Sequence, residues 1–259
     1  MIADPVFTVT GSGLLIEQIE EVDSTNSELL RRDRLLPPGS AARAIWLVAN
    51  RQTGGRGRRQ RAWLSTPAAS LTASLALEVP RPRQIGAFPL AAGLAVAQAL
   101  SRFGSEVSLK WPNDIHVSGG KAGGILCEAR ARGGLTRLVV GCGLNLEAPA
   151  PDGIDQPAAG LFPAGRQPPR ALLLAVLGEA LFEASERLLA EGFEPFRADW
   201  EARDLLLGRA VVIHDHGRQT AAVARGIDAD GALLVELPGT GQALKRLLAE
   251  EVSVRPLSE

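Results

Sequence analysis

The feature that most constrains the fold is a change of texture near Leu207. From Gly208 onward the chain reads as short strands at Ala210–Ile213, Thr220–Ile227, Ala232–Leu237, Ala243–Leu247 and Val252–Val254. Turn signals separate them, notably Asp228-Ala229-Asp230-Gly231 and Pro238-Gly239-Thr240-Gly241. Closely spaced strands in so short a stretch predict a small barrel. A unit of that size is near the lower limit for independent stability, so it is expected to lean on what precedes it. The organisation that follows is a large domain over residues 1–206 and a small one over 207–259.

The large domain alternates strands and helices. Leu14 to Val22, Ala44 to Ala49 and Ser70 to Leu77 read as strands. Thr25-Asn26-Ser27-Glu28 has capping-box spacing and predicts a short helix through Arg32. Phe88 to Phe103 places Leu90, Leu94, Ala97 and Leu100 on one helical face. Strands follow at Val107–Trp111, Ile115–Val117, Gly124–Arg130 and Arg137–Leu146. Pro149 to Pro169 reads as a long surface loop, and Arg170 to Glu191 is the clearest helix. The fold class is therefore mixed α/β, with no internal repeat.

The run Gln52-Thr53-Gly54-Gly55-Arg56-Gly57-Arg58-Arg59-Gln60-Arg61, closing on Trp63, carries the strongest chemical signal. Glycine lets backbone approach a ligand closely. Arginine offers a fork of donors matched to phosphate or carboxylate oxygens. No aspartate or glutamate occurs between Asp33 and Glu78. The net charge of the chain is nevertheless -1, so the basic loop is a local device. A small anion such as a nucleotide suits it better than a long duplex, whose partners carry a basic face and a high pI. A solvated Arg/Gly loop and an RNA-binding segment are the competing readings.

A second constellation is Lys110-Trp111-Pro112-Asn113-Asp114, followed by Lys121 and Gly124. It reads as strand, tight turn and strand, with Lys110 and Asp114 at the bend. The glycines beside Lys121 leave room for a ligand; a plain hairpin with exposed charges is the alternative. Asn145 ends a strand beside Gly141 and Gly143, where its amide reads a base edge or merely terminates the strand.

Other residues exclude function classes. Cys127 and Cys142 make neither a disulfide framework nor a zinc spacing and read as buried reduced thiols. His214 and His216 alternate on one strand, and surface histidines account for them better than a zinc site. The N-terminus has no signal-peptide pattern, and no window approaches the ~20 apolar residues of a membrane span. A cytoplasmic protein without a membrane partner is the expectation.

Taken together, Asp23-Ser24-Thr25-Asn26, Gln52 with Gly55-Arg56-Gly57-Arg58-Arg59 and Arg61-Ala62-Trp63, Lys110 to Asp114, Lys121 with Gly124-Ile125-Leu126, and Gly141 to Asn145 stand in the order and approximate spacing of bacterial biotin–protein ligases. The likeness extends to Arg225–Asp228 and Gly231–Leu234 in the small domain. The resemblance implies a catalytic domain like that of class II tRNA synthetases, with an SH3-like C-terminal barrel. It implies ATP and biotin as substrates, Mg²⁺ with the nucleotide, biotinyl-5′-AMP as intermediate, and a lysine of a biotin carboxyl carrier protein as acceptor.

By the same resemblance, Ser24, Thr25, Asn26 and Gln52 hydrogen-bond the ureido ring, with Arg56, Gly57, Arg58, Lys121 and Gly124 also lining the biotin site. Lys121 and Arg58 are the catalytic candidates, with Lys121 between biotin carboxylate and α-phosphate. Arg56, Arg58, Arg59, Arg61, Trp63, Lys110 and Asn145 are assigned to ATP and adenylate. Gly55, Asn113 and Asp114 support the turns, and no dedicated metal cage is expected. The capping role of Thr25 competes with biotin for one hydroxyl.

Departures from the family pattern bear on function. The chain begins about where the catalytic domain begins, so a ligase without operator-DNA binding is expected. Gln60 stands where glycine is common and Ala62 where lysine is. Pro149–Pro169 holds no tryptophan to stack on adenine. A lipoate–protein ligase, a nucleic-acid-binding protein built on the Arg/Gly loop, and a ligase-derived biotin-binding module are the alternatives. Edge strands of the mixed sheet are candidates for homodimer pairing or for a strand of the carrier.

Overall fold

A computed structural model describes residues 6–80, 82, 84–149, 157–215, 217–239, 243–249 and 252–256. Most of the first half of the Pro149–Pro169 loop (residues 150–156), His216, and Thr240 and Gly241 of the second turn signal lie outside the described residues.

The large domain is one eight-stranded sheet. Its strands are β1 (Val6–Val9), β2 (Leu14–Val22), β3 (Ala44–Gln52), β4 (Ser70–Pro80), β5 (Ser108–Lys110), β6 (Asp114–Val117), β7 (Gly120–Arg132) and β8 (Leu135–Asn145). They run in the order β1-β2-β3-β4-β8-β7-β6-β5. Only the β2–β3 pair is parallel, and all the others are antiparallel. Helix α1 (Thr25–Arg31) makes the β2–β3 crossover. Helices α2 (Phe88–Ser101), α3 (Arg170–Glu191) and α4 (Glu194–Glu201) complete the domain. The expected α/β class and all four of the later strands are present, with β7 starting earlier than expected. Strand β1 and helix α4 were not anticipated. Pro195 near the start of α4 and the buried pair Phe196 and Trp200 are the signals that mark it.

The two faces of the sheet differ in composition, because side chains alternate along each strand. One face carries Trp46, Val48, Leu71, Leu75, Leu138, Val140 and Leu144, and buries them in the large core that α2 and α3 share. The opposite face carries Leu15, Ile45, Leu47, Ala76 and Val139, which pack with Leu29 of α1 in a smaller core. Farther along the same face the residues become small: Thr72 and Ser74 on β4, Gly141 and Gly143 on β8, and Gly124 on β7. Register places them side by side, with Thr72 opposite Gly143, Ser74 opposite Gly141 and Gly143 opposite Gly124. Short α1 covers only the apolar half, leaving a floor of small residues beside it.

A seven-residue helix is not stable by itself. Buried Arg137 holds α1 down. Its guanidinium donates to the Leu29 carbonyl at 2.9 Å and the Arg32 carbonyl at 2.6 Å, satisfying the end of the helix. Glu78, opposite Arg137 on the neighbouring strand, balances the charge.

The C-terminal unit is a five-stranded antiparallel sheet of β9 (Ala210–Asp215), β10 (Arg218–Ile227), β11 (Leu233–Glu236), β12 (Leu244–Leu247) and β13 (Ser253–Pro256), ordered β12-β11-β10-β9-β13. It packs on the large domain through a continuous core that includes Val211, Ile213, Leu233 and Val235. The buried Trp111 indole donates to the Gly231 carbonyl at 3.0 Å. Glu201 of α4 accepts from the Ile227 N–H at 3.1 Å. The linker lies against β5: Leu109 N–H donates to the Arg203 carbonyl and Leu205 N–H to the Leu109 carbonyl, both at 2.8 Å. That edge of the main sheet is therefore covered and is not open to pairing with another strand. Among the described residues no helix is long and apolar enough to cross a membrane.

Candidate functional site

The floor of small residues is walled on one side by the start of α1. Ser24, not Thr25, is the N-cap: its hydroxyl accepts from the Ser27 N–H at 3.4 Å. The capping-box spacing put the cap one residue late. Thr25 is thereby released for other partners. Its N–H donates to Gln52 Oε1 at 2.8 Å, and its hydroxyl lies 2.7 Å from Ser74 Oγ. Asn26 is buried, with Oδ1 accepting from Ser74 Oγ at 2.6 Å and Nδ2 donating to Glu128 at 2.7 Å and to the Leu126 carbonyl at 3.1 Å. Ser24, Thr25, Asn26 and Gln52 are thus brought together. Ser74 and Glu128 complete the wall and were absent from the sequence reading. The signal for Ser74 was the polar alternation Ser70, Thr72, Ser74 on β4, which an apolar helix could not cover.

The opposite wall is the Lys110–Lys121 hairpin. The Trp111–Pro112 peptide is cis. Asn113 is spent on the turn: its Nδ2 donates to the Ile125 carbonyl, and its own carbonyl accepts from the Ile125 N–H, both at 2.9 Å. Asp114 instead faces Lys121 Nζ at 2.6 Å. Lys121 Nζ hangs over Gly124, 3.7 Å from where a Cβ would stand. Lys110 is half-buried. Burial lowers its pKa, opposed by Asp114 and reinforced by the positive charges of Lys121, Arg255 and Arg61. Four cations, Lys110, Lys121, Arg61 and Arg255, around one carboxylate leave a local excess of positive charge that suits an anion. Burial also lowers the pKa of neighbouring His116, whose Nε2 has no hydrogen-bond partner among the described residues.

The basic loop closes over this floor. Gly57 N–H donates to the Arg61 carbonyl at 2.8 Å and Trp63 N–H to the Gly55 carbonyl at 2.9 Å, so the loop returns on itself. The Trp63 indole lies on Gly143, where a Cβ would stand 2.6 Å from Cε2 of the ring. Arg56 turns inward to Ser27 and Glu128. Arg58 reaches the Ala249 carbonyl of the small domain. Arg59 and Arg61 are exposed. Gln60 has φ of 59°, the left-handed region that favours glycine.

Asn145 is buried at the far end of β8. Its carbonyl accepts from the Leu161 N–H at 2.9 Å and its amide lies 3.4 Å from the Ala159 carbonyl, so it anchors the segment beside Lys121. Lys121 itself pairs by backbone with Pro157 and Ala159. Both cysteines are free thiols. Cys142 is buried, and burial pushes its thiol up to about 12; the half-buried Cys127 is raised as well. Among the described residues no group of three or more His, Cys, Asp or Glu side chains could hold a metal ion.

Residues 20–145 match the family model described as the Biotin/lipoate A/B protein ligase family, and residues 206–255 match the Biotin protein ligase C terminal domain. The chain is similar to the bifunctional ligase/repressor BirA of Salmonella typhimurium, 34% identical over 259 residues, covering 98% of this chain and 78% of that protein. It is similar to the biotin–[acetyl-CoA-carboxylase] ligase of Paracoccus denitrificans, 33% identical over 244 residues, covering 87% of this chain and 96% of that one. Among solved structures it resembles the biotin protein ligase from Aquifex aeolicus in complex with biotin and ATP. The TM-score is 0.76 at 28% identity, over 93% of this chain and 99% of that one.

Proposed function

The chain belongs to the biotin/lipoate A/B protein ligase family, and from that premise we infer that it is a biotin–protein ligase. It joins biotin to ATP as biotinyl-5′-AMP with release of pyrophosphate, and transfers biotin to a lysine of a biotin carboxyl carrier protein. The observation that carries this reading is one face of one sheet. It presents a polar wall at Thr25, Ser74 and Asn26, a glycine floor at Gly141 and Gly143, and a lysine over Gly124.

The chemistry asks for positioning and charge stabilisation rather than a protein nucleophile. The biotin carboxylate attacks the α-phosphorus, the bond to the β-phosphate oxygen breaks, and pyrophosphate leaves. Lys121 is the group placed to meet the carboxylate and the α-phosphate. Asp114 orients its ammonium at 2.6 Å until the substrates enter. Lys110 adds a second cation behind it. Mg²⁺ would arrive on the ATP phosphates, where it would supply shielding of the departing pyrophosphate. In the second step a carrier lysine amine attacks the acyl carbon and AMP leaves. The Arg56–Trp63 loop, lying over the floor, keeps water from the anhydride until then. The carrier is the macromolecular partner, and this reading places the reaction in the cytoplasm.

ATP–pyrophosphate exchange, with and without biotin and then with lipoate, tests this reading. Exchange that depends on biotin, followed by transfer to a purified carrier domain, is the expected result. Exchange indifferent to biotin, or driven by lipoate, overturns it.

A further inference from the structure

The wall of the pocket has a direction, and one carboxylate sets it. Asn26 Nδ2 faces Glu128 Oε2 at 2.7 Å and the Leu126 carbonyl at 3.1 Å. Both partners only accept, so the amino end of the amide must point at them and Oδ1 must point at Ser74. The Ser74 hydroxyl has one proton, and it is spent on Asn26 Oδ1 at 2.6 Å. Thr25 Oγ1 then has one proton for two acceptors, Ser74 Oγ at 2.7 Å and Gln52 Oε1 at 3.0 Å, and it is spent within the wall. Gln52 Oε1 accepts from the Thr25 N–H at 2.8 Å. The capacity left over on Asn26 Oδ1 and Thr25 Oγ1 is acceptor capacity. It suits a ligand that brings N–H donors, as a ureido ring does.

The same carboxylate holds the basic loop. Arg56 Nη2 lies 2.9 and 3.0 Å from the two oxygens of Glu128, and Asn26 shares one of them. Glu128 is placed for this by register: it lies two residues beyond Leu126 on β7, on the same face as Gly141 and Gly143.

We propose that Glu128 is a positioning residue that couples the two substrate sites. It fixes the Asn26 amide with its acceptor end toward Ser74 and the pocket, and it ties Arg56, at the root of the nucleotide loop, to the same point. The inference rests on the biotin-ligase reading. Neutralising Glu128 leaves one acceptor oxygen for two donors and turns an amide N–H₂ on one of them. Either the polar wall loses its direction or the loop loses its tether.

The test is biotin-dependent ATP–pyrophosphate exchange by Glu128→Gln and Glu128→Asp, with KM for biotin and for ATP measured separately from kcat. Glu128→Gln is expected to raise both KM values by about tenfold, the scale of one lost charged hydrogen bond, and to change kcat less. Glu128→Asp, which keeps the charge on a shorter chain, is expected to be less damaging. In an Asn26→Ala background the Gln substitution should add less than about twofold to the biotin KM, because the partner it positions is already gone. KM values within about twofold of the parent overturn the proposal. So does equal damage by Gln and Asp, or full additivity with Asn26→Ala, since either would be the mark of packing alone. Should Glu128→Gln fail to fold, Glu128→Ala replaces it in the same comparison, and KM values within about twofold of the parent overturn the proposal. Exchange by the parent protein tests the ligase reading itself, and the ratio of variant to parent tests Glu128.

Discussion

The Asn26 amide occupies the space that a side chain at Gly141 would need: a Cβ there would overlap Oδ1 and stand 3.0 Å from Cγ. The amide cannot swing aside cheaply, because three hydrogen bonds pin it. Gly141→Ala therefore breaks at least one buried bond of the polar wall. We expect the KM for biotin to rise by roughly 10- to 100-fold, the equivalent of about 1–3 kcal/mol. Titration of biotin in pyrophosphate exchange measures it. An unchanged KM would mean that the wall does not contact biotin.

On the proposed mechanism Lys121, held by Asp114 and standing over glycine, is the cation that serves the first chemical step. Removing one charge-stabilising donor of this kind typically costs roughly a hundredfold in rate. Lys121→Ala is therefore expected to slow adenylate formation about that much in single-turnover measurements, with the melting temperature little changed. A near-normal rate would move the role to Lys110.

Arg58 bridges the loop to the Ala249 carbonyl on the small domain, so loop closure and domain packing are linked. Arg58→Ala should loosen that closure. The expected outcome is faster escape of biotinyl-AMP and biotinylation of bystander lysines on an added protein such as albumin. Retention of the labelled adenylate through a desalting column, equal to that of the parent protein, would sink the idea.

Much of this was legible in the chain because periodicity reports burial. The helix at Arg170–Glu191 and the strand at Leu14–Val22 coincide with their expected bounds. The site was legible in part, as loops carry their own chemistry in residue type. Gln60 shows how far that goes: its backbone has a φ of 59°, in the left-handed region that favours glycine, which residue type alone does not announce. What could not be read is long-range pairing. Glu128 looks like an ordinary polar strand residue until register sets it beside Asn26, 102 positions away. The buried Arg137 that caps α1 was hidden for the same reason. Thr25 and Ser24 were separable only by geometry, since either hydroxyl can cap a helix.

The linker between the domains carries a pH-dependent cost. Asp204 Oδ1 accepts from the Leu206 N–H at 2.8 Å, but Oδ2 is buried without a partner among the described residues. Burial, with the nearby Glu201 carboxylate adding to it, raises the Asp204 pKa from 3.8 to about 6. The folded chain therefore binds more protons than the unfolded chain between those two values. Stability contributed through Asp204 rises as pH falls through that window; above it the whole cost of the buried charge is present, and below it none is. A shift of that size corresponds to at most about 3 kcal/mol. Asp204→Asn removes the charge but leaves an amide with one unpaired end, so the expected gain at pH 8 is about 1 kcal/mol. Urea denaturation at pH 8 and at pH 5 measures it. The gain should shrink or reverse at pH 5, where the wild-type carboxyl is largely protonated; a gain equal at both values would show that the carboxylate is solvated in the folded state.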